Sequence, residues 1–293
     1  ARETSVLNLI IVVGAPLQVD SRLFNCGIVL HRGRITGVSV KSYLPNYREF
    51  YEGRQFSPAE EALSRTISLC SQEGIPFGAD LIFDVANIRH FRFFVEMCED
   101  VWVPIPPSCF AAMAGATVIG NLSASNVTIG KSEYRQSLTA NQSARCLAAY
   151  LYAAAGPGES TTDLAWDGHA MIYENGNLLA ESERFAGRPQ IIHADLDLDR
   201  LAQDRMRQTS FGRNARTHRD ALLKFRRVAL EIDPVEGRLL LDREYPRFPY
   251  IPSDPAKRDQ RCYEAYNIQV HGLAQRLKSS GIDKVVIGVS GGL

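Results

Sequence analysis

Short apolar runs, rich in β-branched residues and broken by tight-turn pairs, set the strongest limit on how this chain folds. "CGIVLHRGRITGVSVK" (Cys26 to Lys41) places two such runs on either side of Arg32-Gly33-Arg34. A glycine there supplies the positive φ that a short hairpin turn needs. "HAMIYENGNLLAESE" repeats the arrangement around Asn175-Gly176. "LNLIIVVGAP" (Leu7 to Pro16) reads as a buried strand ended by a Gly-Ala-Pro turn rather than as a signal-peptide core. "LIFDV" and "FRFFVEM" read as two strands around a turn near Asn87, and "ATVIGNLSAS", "LYAAAG" and "PQIIHADLDL" extend the series. Between them "SEYRQSLTANQSARCLAAY" (Ser132 to Tyr150) has helical spacing, with Leu138, Ala144, Cys146 and Leu147 predicted to share one face. Hairpins mixed with helices imply an α/β chain whose sheets pack face to face with helices outside.

The texture changes near Asp199. "RLAQDRMRQTSFGRNARTHRDALLKFRR" is charged and poor in β-branched residues, and is expected to be a solvated helix followed by a linker. It has no aromatic ladder of the kind that single-stranded nucleic acid stacks on. "PRFPYIPSDPAKRD" holds four prolines and reads as an extended connector. "CYEAYNIQVHGLAQRLKSSG" follows as an amphipathic helix closed by Gly281, and "KVVIGVSGG" as a buried strand running into a glycine loop. The resulting division is 1–198, a linker at 199–255, and the start of a second domain at 256–293. The chain begins at Ala1 and ends inside a glycine-rich motif, so a fragment missing both ends is expected.

Lys+Arg and Asp+Glu both number 33, so the formal net charge is zero. That balance disfavours nucleic acid or an anionic membrane as partner and favours a small polar metabolite. Six cysteines at 26, 70, 98, 109, 146 and 262 show no C-x-x-C spacing and no zinc-site pattern. No metal site is therefore expected in this part, and scattered thiols fit a reducing, cytoplasmic setting. No run reaches the roughly 18 apolar residues of a membrane helix.

Cys98 ends the apolar run of "FRFFVEMCEDVWVP" (Phe91 to Pro104). On spacing alone it reads as a buried core thiol or as a strand-end nucleophile. Glu99 and Asp100 oppose the thiolate, so a reactive Cys98 needs a cation or a proton acceptor from elsewhere. Lys41 closes the second strand of the first hairpin, and reads as a surface lysine or as one pointing into a pocket. "NYREFYEG" follows it. A lysine, a cysteine and a glutamate held together suit acyl transfer: the thiolate attacks an amide carbonyl, the ammonium stabilises the oxyanion, and a carboxylate moves the proton.

"KSYLPNYREFYEGRQF" followed by "CEDVWVP" resembles the carbon–nitrogen hydrolase, or nitrilase, superfamily, over roughly residues 7–198. The resemblance implies a nitrilase-type four-layer αββα sandwich, with Cys98 as nucleophile, Lys41 as oxyanion-stabilising lysine and Glu52 as the glutamate that orients it. It also implies a general-base glutamate in an F-P-E context upstream of the lysine. Only Glu3 precedes Lys41, in "ARETSVL", which does not match. The chain taken alone is therefore expected to hydrolyse amides poorly or not at all, losing on the order of 10²–10⁴-fold.

"GVSGGL" resembles the opening of the pyrophosphate loop of ATP pyrophosphatases, which implies ATP contacts at Gly288, Val289, Ser290, Gly291 and Gly292 and the start of a Rossmann-like domain. A tight βα turn is the plainer reading of the same residues. A nitrilase-type amidase joined to such a domain resembles the glutamine-dependent NAD(+) synthetase family, particularly its actinobacterial form. That resemblance implies glutamine, ATP and deamido-NAD as substrates, Mg²⁺ with the ATP, no cofactor for the amidase, and a homo-oligomer. It further implies glutamine contacts from Tyr47, Phe50, Trp102, Ser125 and Lys131. Without it, Ser125 and Lys131 read as a strand end and a helix start. A free-standing amidase and a catalytically dead binding module are the rival readings.

Overall fold

The computed structural model describes residues 1–288 apart from 157, 160–163, 236, 238, 239, 244, 246–250 and 253. It divides the chain into two compact units, Ala1–Asp242 and Arg243–Leu293.

The first unit carries β1 (Ile10–Val19), β2 (Arg22–His31), β3 (Arg34–Val40), β4 (Thr66–Leu69), β5 (Gln72–Gly78), β6 (Leu81–Val85) and β7 (Arg92–Met97). Helix α1 (Pro107–Met113), β8 (Val118–Ser123), α2 (Lys131–Cys146), β9 (Ala149–Ala154), β10 (Ala170–Glu174) and β11 (Asn177–Glu181) follow. Helices α3 (Leu198–Arg207), α4 (Thr209–Thr217) and α5 (Arg219–Leu222) and strand β12 (Arg226–Leu230) complete it. The strands form two sheets, ordered β1-β2-β3-β5-β4 and β11-β10-β9-β8-β7-β6-β12.

The two hairpins form where the turn pairs predict. Arg32 and Gly33 take φ of 46° and 77°, and Asn175 and Gly176 take 46° and 80°, the left-handed pair that matches strand twist. The sheets meet over Val29, Leu81, Phe83, Val85 and Val95. Gly37 of β3 is small for a reason: a Cβ there would stand 2.8 Å from the Phe83 ring of β6. On its far side the seven-stranded sheet packs Ile82, Phe94, Ile119, Tyr150 and Met171 against α1 and α2, the sheet-and-helix layering expected for an α/β sandwich. The outer face of the five-stranded sheet buries Phe24, Ile28, Val38 and Phe77. The Asp20 carboxylate, in the β1–β2 turn, accepts from Leu63 N at 2.9 Å and Ser64 N at 2.7 Å, so the start of β4 is held against the end of β1. Phe24 and Phe77 meet edge to face at 5.6 Å, each burial contributing about 1.5–3 kcal/mol.

Several expectations are corrected. The strand at 7–16 is β1, but it is an edge strand with no fully buried residue and runs through Gly14-Ala15-Pro16 to Val19. An edge position tolerates the missing N–H of Pro16. The buried face of α2 is polar: Arg135, Thr139, Gln142 and Ser143 lie inward with Cys146, whereas Ala144 is exposed. "PQIIHADLDL" joins no sheet, and Ile191 is exposed. Residues 199–230 are no linker. They form α3 to α5 and then β12, which pairs in parallel with β6 from Arg226↔Leu81 to Leu230↔Val85.

The second unit is dominated by α6 (Pro255–Ser280). The Asp254 carboxylate caps it by accepting from Ala256 N at 3.0 Å, and Gly281 ends it at φ 65°. The helix starts seven residues before the point predicted, because Asp254-Pro255 is itself a start signal. The proline-rich connector falls mostly outside the described residues. Residues 282–288 form no strand, there being no sheet among the described residues of this unit to pair with. Gly288 is exposed, and Val289, Ser290, Gly291 and Gly292 lie outside the described residues. No helix among the described residues is long and apolar enough to cross a membrane.

Candidate active site

Strands β7, β8 and β9 run parallel, so their C-terminal ends open on one edge of the sheet. Cys98 leaves β7 there and begins a short 3-10 turn, Cys98–Val101. Its φ is 44°, a region that non-glycine residues enter at a cost of order 1–3 kcal/mol. That backbone turns the thiol off the strand line. Lys41 leaves β3 at the same edge, its N–H donating to Asn25 O at 2.9 Å.

Lys41 is 3% exposed, and its ammonium is ion-paired with Glu52. The other Glu52 oxygen accepts from Asn25 Nδ2 at 2.7 Å, so both carboxylate oxygens are occupied and the lysine is aimed. Burial pushes the Cys98 thiol above its ordinary pKa. The Lys41 charge and a hydrogen bond from the Ala124 N–H act to lower it, and Glu52 and Glu99 act to raise it. Cys98, Lys41 and Glu52 therefore act on one another electrostatically, as an acyl-transfer set must.

The predicted recognition residues converge on the same place. Tyr47 donates its hydroxyl proton to Glu99 at 2.9 Å and meets the Phe50 ring at 6.2 Å. Lys131 opens α2, and its ammonium lies 5.7 Å from the Phe50 centroid and 5.5 Å from that of Trp102, within cation–π range. It donates to Asn126 Oδ1 at 2.7 Å, and Asn126 Nδ2 donates to Glu49 at 2.7 Å. Burial lowers the Lys131 pKa. Ser125, buried at the end of β8, lies beside Ala124, and its carbonyl accepts from Arg135 at 3.3 Å. Arg135 is itself buried, and is neutralised by Asp167 at 3.1 Å through both carboxylate oxygens. The cluster thus holds an amine at Lys131 and a carboxyl at Glu99, with the rings of Phe50 and Trp102 against Lys131 and that of Tyr47 against Glu99.

Residue-level reading missed three groups. Asp100, 1% exposed, accepts from Met97 N, Ser42 N and Tyr43 N at 2.9, 3.1 and 2.9 Å, and so clips the Cys98 strand end to the Lys41 strand end. Glu99 accepts from Tyr47, and Asn126 accepts from Lys131. In sequence Asp100 appears only as a charge opposing the thiolate. Glu3 is placed far from this edge: Thr4 beside it accepts from Gly33 N at 3.2 Å, at the opposite end of β2 and β3. A cavity of about 720 Å³ lies next door, lined by Ser42, Tyr43, Phe77, Asp80 and Phe110 among others. Neither Cys98, Lys41 nor Glu52 lines it, and the nucleophilic and charged groups converge at Cys98 instead.

The comparisons with known proteins bear on the family and the fold. Residues 2–206 match the family model described as "Carbon-nitrogen hydrolase". Over 291 residues the chain is 53% identical to a glutamine-dependent NAD(+) synthetase of Mycobacterium bovis, covering 99% of this chain and 43% of that protein. The chain thus spans less than half the length of that relative. A crystal structure of a glutamine-dependent NAD(+) synthetase from Cytophaga hutchinsonii superposes with a TM-score of 0.53 at 27% identity, covering 61% of this chain and 28% of that one. A carbon-nitrogen hydrolase from Helicobacter pylori superposes with a TM-score of 0.54 over 75% of each chain, and at 18% identity it speaks for the fold alone. With 205 of the 293 residues inside the family match, two sheets face to face and a cysteine–lysine–glutamate set at one sheet edge, the chain belongs to the carbon-nitrogen hydrolase family.

Proposed function

We propose that the first unit is the glutaminase part of a glutamine-dependent NAD(+) synthetase. The observation that carries this reading is the convergence of Cys98 with the Lys41–Glu52 ion pair, with Glu99 and Lys131 in electrostatic reach of the same group. Cys98, as thiolate, attacks the side-chain amide carbon of glutamine. Lys41 stabilises the oxyanion, and the C–N bond breaks to leave a Cys98 thioester and ammonia. Water then hydrolyses the thioester to glutamate. Glu52 pairs with Lys41 and aims it. Lys131 takes the α-carboxylate of glutamine and Glu99 its α-ammonium, with Tyr47, Phe50, Trp102 and Ser125 closing the pocket, because a zwitterionic substrate needs both signs of charge. Among the described residues, the carboxylates that act on Cys98 are already engaged: Glu52 by Lys41, and Glu99 by Tyr47. The proton-transfer glutamate of the family is therefore assigned to no described residue, and poor or no amide hydrolysis is the expected behaviour of residues 1–293 by themselves.

The ammonia serves the ATP-dependent amidation of deamido-NAD, with Mg²⁺ accompanying the ATP and Gly288 to Gly292 opening its phosphate loop. The 53% identity to the mycobacterial protein supports this reading. The described cysteines are all free thiols, which fits a reducing, cytoplasmic setting, and the protein is assigned to a homo-oligomer by family resemblance. The test is NAD formation from deamido-NAD and ATP by the complete polypeptide, with glutamine or ammonia as donor. Cys98→Ala is expected to abolish glutamine use and spare ammonia use. Full glutamine-dependent activity in that variant would remove Cys98 from the mechanism. Ammonia release from an amide, with no NAD formed under any condition, would leave a free-standing amidase.

A further inference from the structure

We propose that Cys109 and Cys146 form an oxidisable thiol pair: a small hydroperoxide entering the cavity beside α1 oxidises Cys109, and Cys146 closes a disulfide that ties α1 to α2. The pair lies on the helical side of the seven-stranded sheet and is separate from the Cys98 set.

Its geometry is that of two thiols held around one donor. Gln142, one turn before Cys146 on α2, places Nε2 at 3.3 Å from both sulfurs and at 2.9 Å from Ser108 Oγ. Both sulfurs thus lie against the same side-chain amide nitrogen. Cys146 is buried, whereas Cys109 keeps part of its surface exposed and lines a cavity of about 350 Å³. Arg145, Asn214 and His218 add polar groups to a wall otherwise largely apolar, so a small polar oxidant meets one cation and hydrogen-bonding partners there. The roles are unequal. The hydrogen bond from Cys146, then that from Gln142 and the charge of Arg145, hold the Cys109 thiol down at about 6 against burial. The hydrogen bond to Cys109 and then burial push Cys146 up. Cys109 is the attacking thiolate and Cys146 the resolving thiol.

The chemistry balances as follows. The Cys109 thiolate attacks the terminal oxygen of the hydroperoxide, the O–O bond breaks, and the alkoxide takes a proton and leaves as alcohol. Cys146 gives up its proton, its sulfur attacks the Cys109 sulfenic acid, and hydroxide leaves as water. Two thiols lose two electrons and two protons, and the hydroperoxide is reduced to alcohol and water. Cys70 and Cys262 are exposed and serve as comparison thiols within the same molecule.

The test treats the reduced full chain with hydrogen peroxide and maps peptides by mass spectrometry without reduction. A Cys109–Cys146 cross-linked peptide is expected, two hydrogens lighter than its parts and restored by dithiothreitol. Cys109 should be consumed about tenfold faster than Cys70 or Cys262. In Cys146→Ser, dimedone should trap Cys109 as its sulfenic acid, and in Cys109→Ser, Cys146 should stay reduced. Equal rates at Cys70 and Cys109, or a wild-type Cys109 that accumulates the dimedone adduct without cross-linking, would overturn the proposal. The wild-type time course requires no variant, so a variant that misfolds leaves the test standing.

Discussion

Asp100 offers the sharpest test of how the site is held. Its buried carboxylate accepts three backbone N–H bonds, one from Met97 on the cysteine side and two from Ser42 and Tyr43 on the lysine side. Burial raises its pKa to about 6, so above pH 7 it is ionised and all three bonds are charge-assisted. Asp100→Ala orphans three donors. At about 1–3 kcal/mol for each unsatisfied buried group the upper range is large, but Tyr43 is partly exposed and water can reach its N–H. A loss of about 3 kcal/mol is expected. Asp100→Asn keeps one acceptor oxygen for Ser42 and Tyr43 and turns an amide N–H₂ towards Met97 N–H, so about 1–2 kcal/mol is lost.

The assays are urea unfolding near pH 7.5 and the pH–rate profile of Cys98 alkylation by iodoacetamide. Lys41 lowers the Cys98 thiol pKa, so loosening the clip between the two strand ends should move the alkylation midpoint upward in both variants. Stability ordered wild type, then Asn, then Ala, with both midpoints raised, is the expected result. If Asp100→Asn is destabilised and its midpoint does not move, the carboxylate only supports the turn, and the claim that it positions lysine against cysteine fails.

Other outcomes follow from the same geometry. Lys41→Met should raise the Cys98 alkylation midpoint and Glu52→Gln should lower it, because the lysine pulls the thiol pKa down and the glutamate pushes it up; shifts of the same sign would contradict the ion-pair reading. Lys131→Met should raise the KM for glutamine about tenfold or more with a smaller change in kcat, measured as ammonia release by the complete polypeptide, since it removes ground-state charge pairing. Glu96 is buried beside Ser108 and Tyr150, and burial raises its pKa to about 8 from an ordinary 4.5. It therefore holds its proton in the fold at a pH where the unfolded chain releases it, and the stability it contributes is full below about pH 4.5 and falls as pH rises to 8. Glu96→Gln should abolish that slope, so unfolding free energies of variant and wild type should diverge in the variant's favour by up to about 4 kcal/mol between about pH 5 and pH 8. Parallel curves would show that Glu96 is ionised in the fold.

The elements that could be read directly are those whose signal is local. Arg32-Gly33 and Asn175-Gly176 announce their hairpins because only a few residue pairs accept two successive positive φ values. Strand β12 carries no such signal. "RRVAL" is short, its first two residues are basic, and its partner β6 lies far upstream, so the parallel pairing is decided only when the sheet assembles. Helix α2 misled for a different reason. Hydrophobic periodicity assumes that the inward face is apolar, yet this face carries Arg135, whose guanidinium pairs with Asp167, and Gln142, which donates to Ser108 and the two thiols. The burial of Arg135 depends on Asp167, which stands on a separate segment, and a single window cannot see that pairing. The site divides in the same way. Cys98, Lys41 and Glu52 are legible in the sequence only through resemblance to a family, whereas Asp100 reads there as an obstacle because its three backbone donors come from two separate strand ends.

The electrostatics of Cys98 explain why a further proton acceptor matters to this site. A thiol raised above its ordinary pKa by burial is protonated near neutrality, and attack on an amide requires that proton to leave. Lys41 favours the thiolate, but it is already charged and paired with Glu52, so it stabilises the anion without taking the proton. Glu52 cannot take it without releasing Lys41, and Glu99, its own pKa raised by burial, accepts from Tyr47 on the recognition side. The set as placed is thus built to stabilise negative charge on sulfur and on the developing oxyanion, while deprotonation is left to a group of different position. That separation has a measurable consequence. The glutaminase activity proposed for the first unit should rise with pH, following the Cys98 alkylation profile, because no described carboxylate takes the proton and hydroxide does. Activity at a plateau through neutral pH, while alkylation still climbs, would show that one of these carboxylates serves as the base after all.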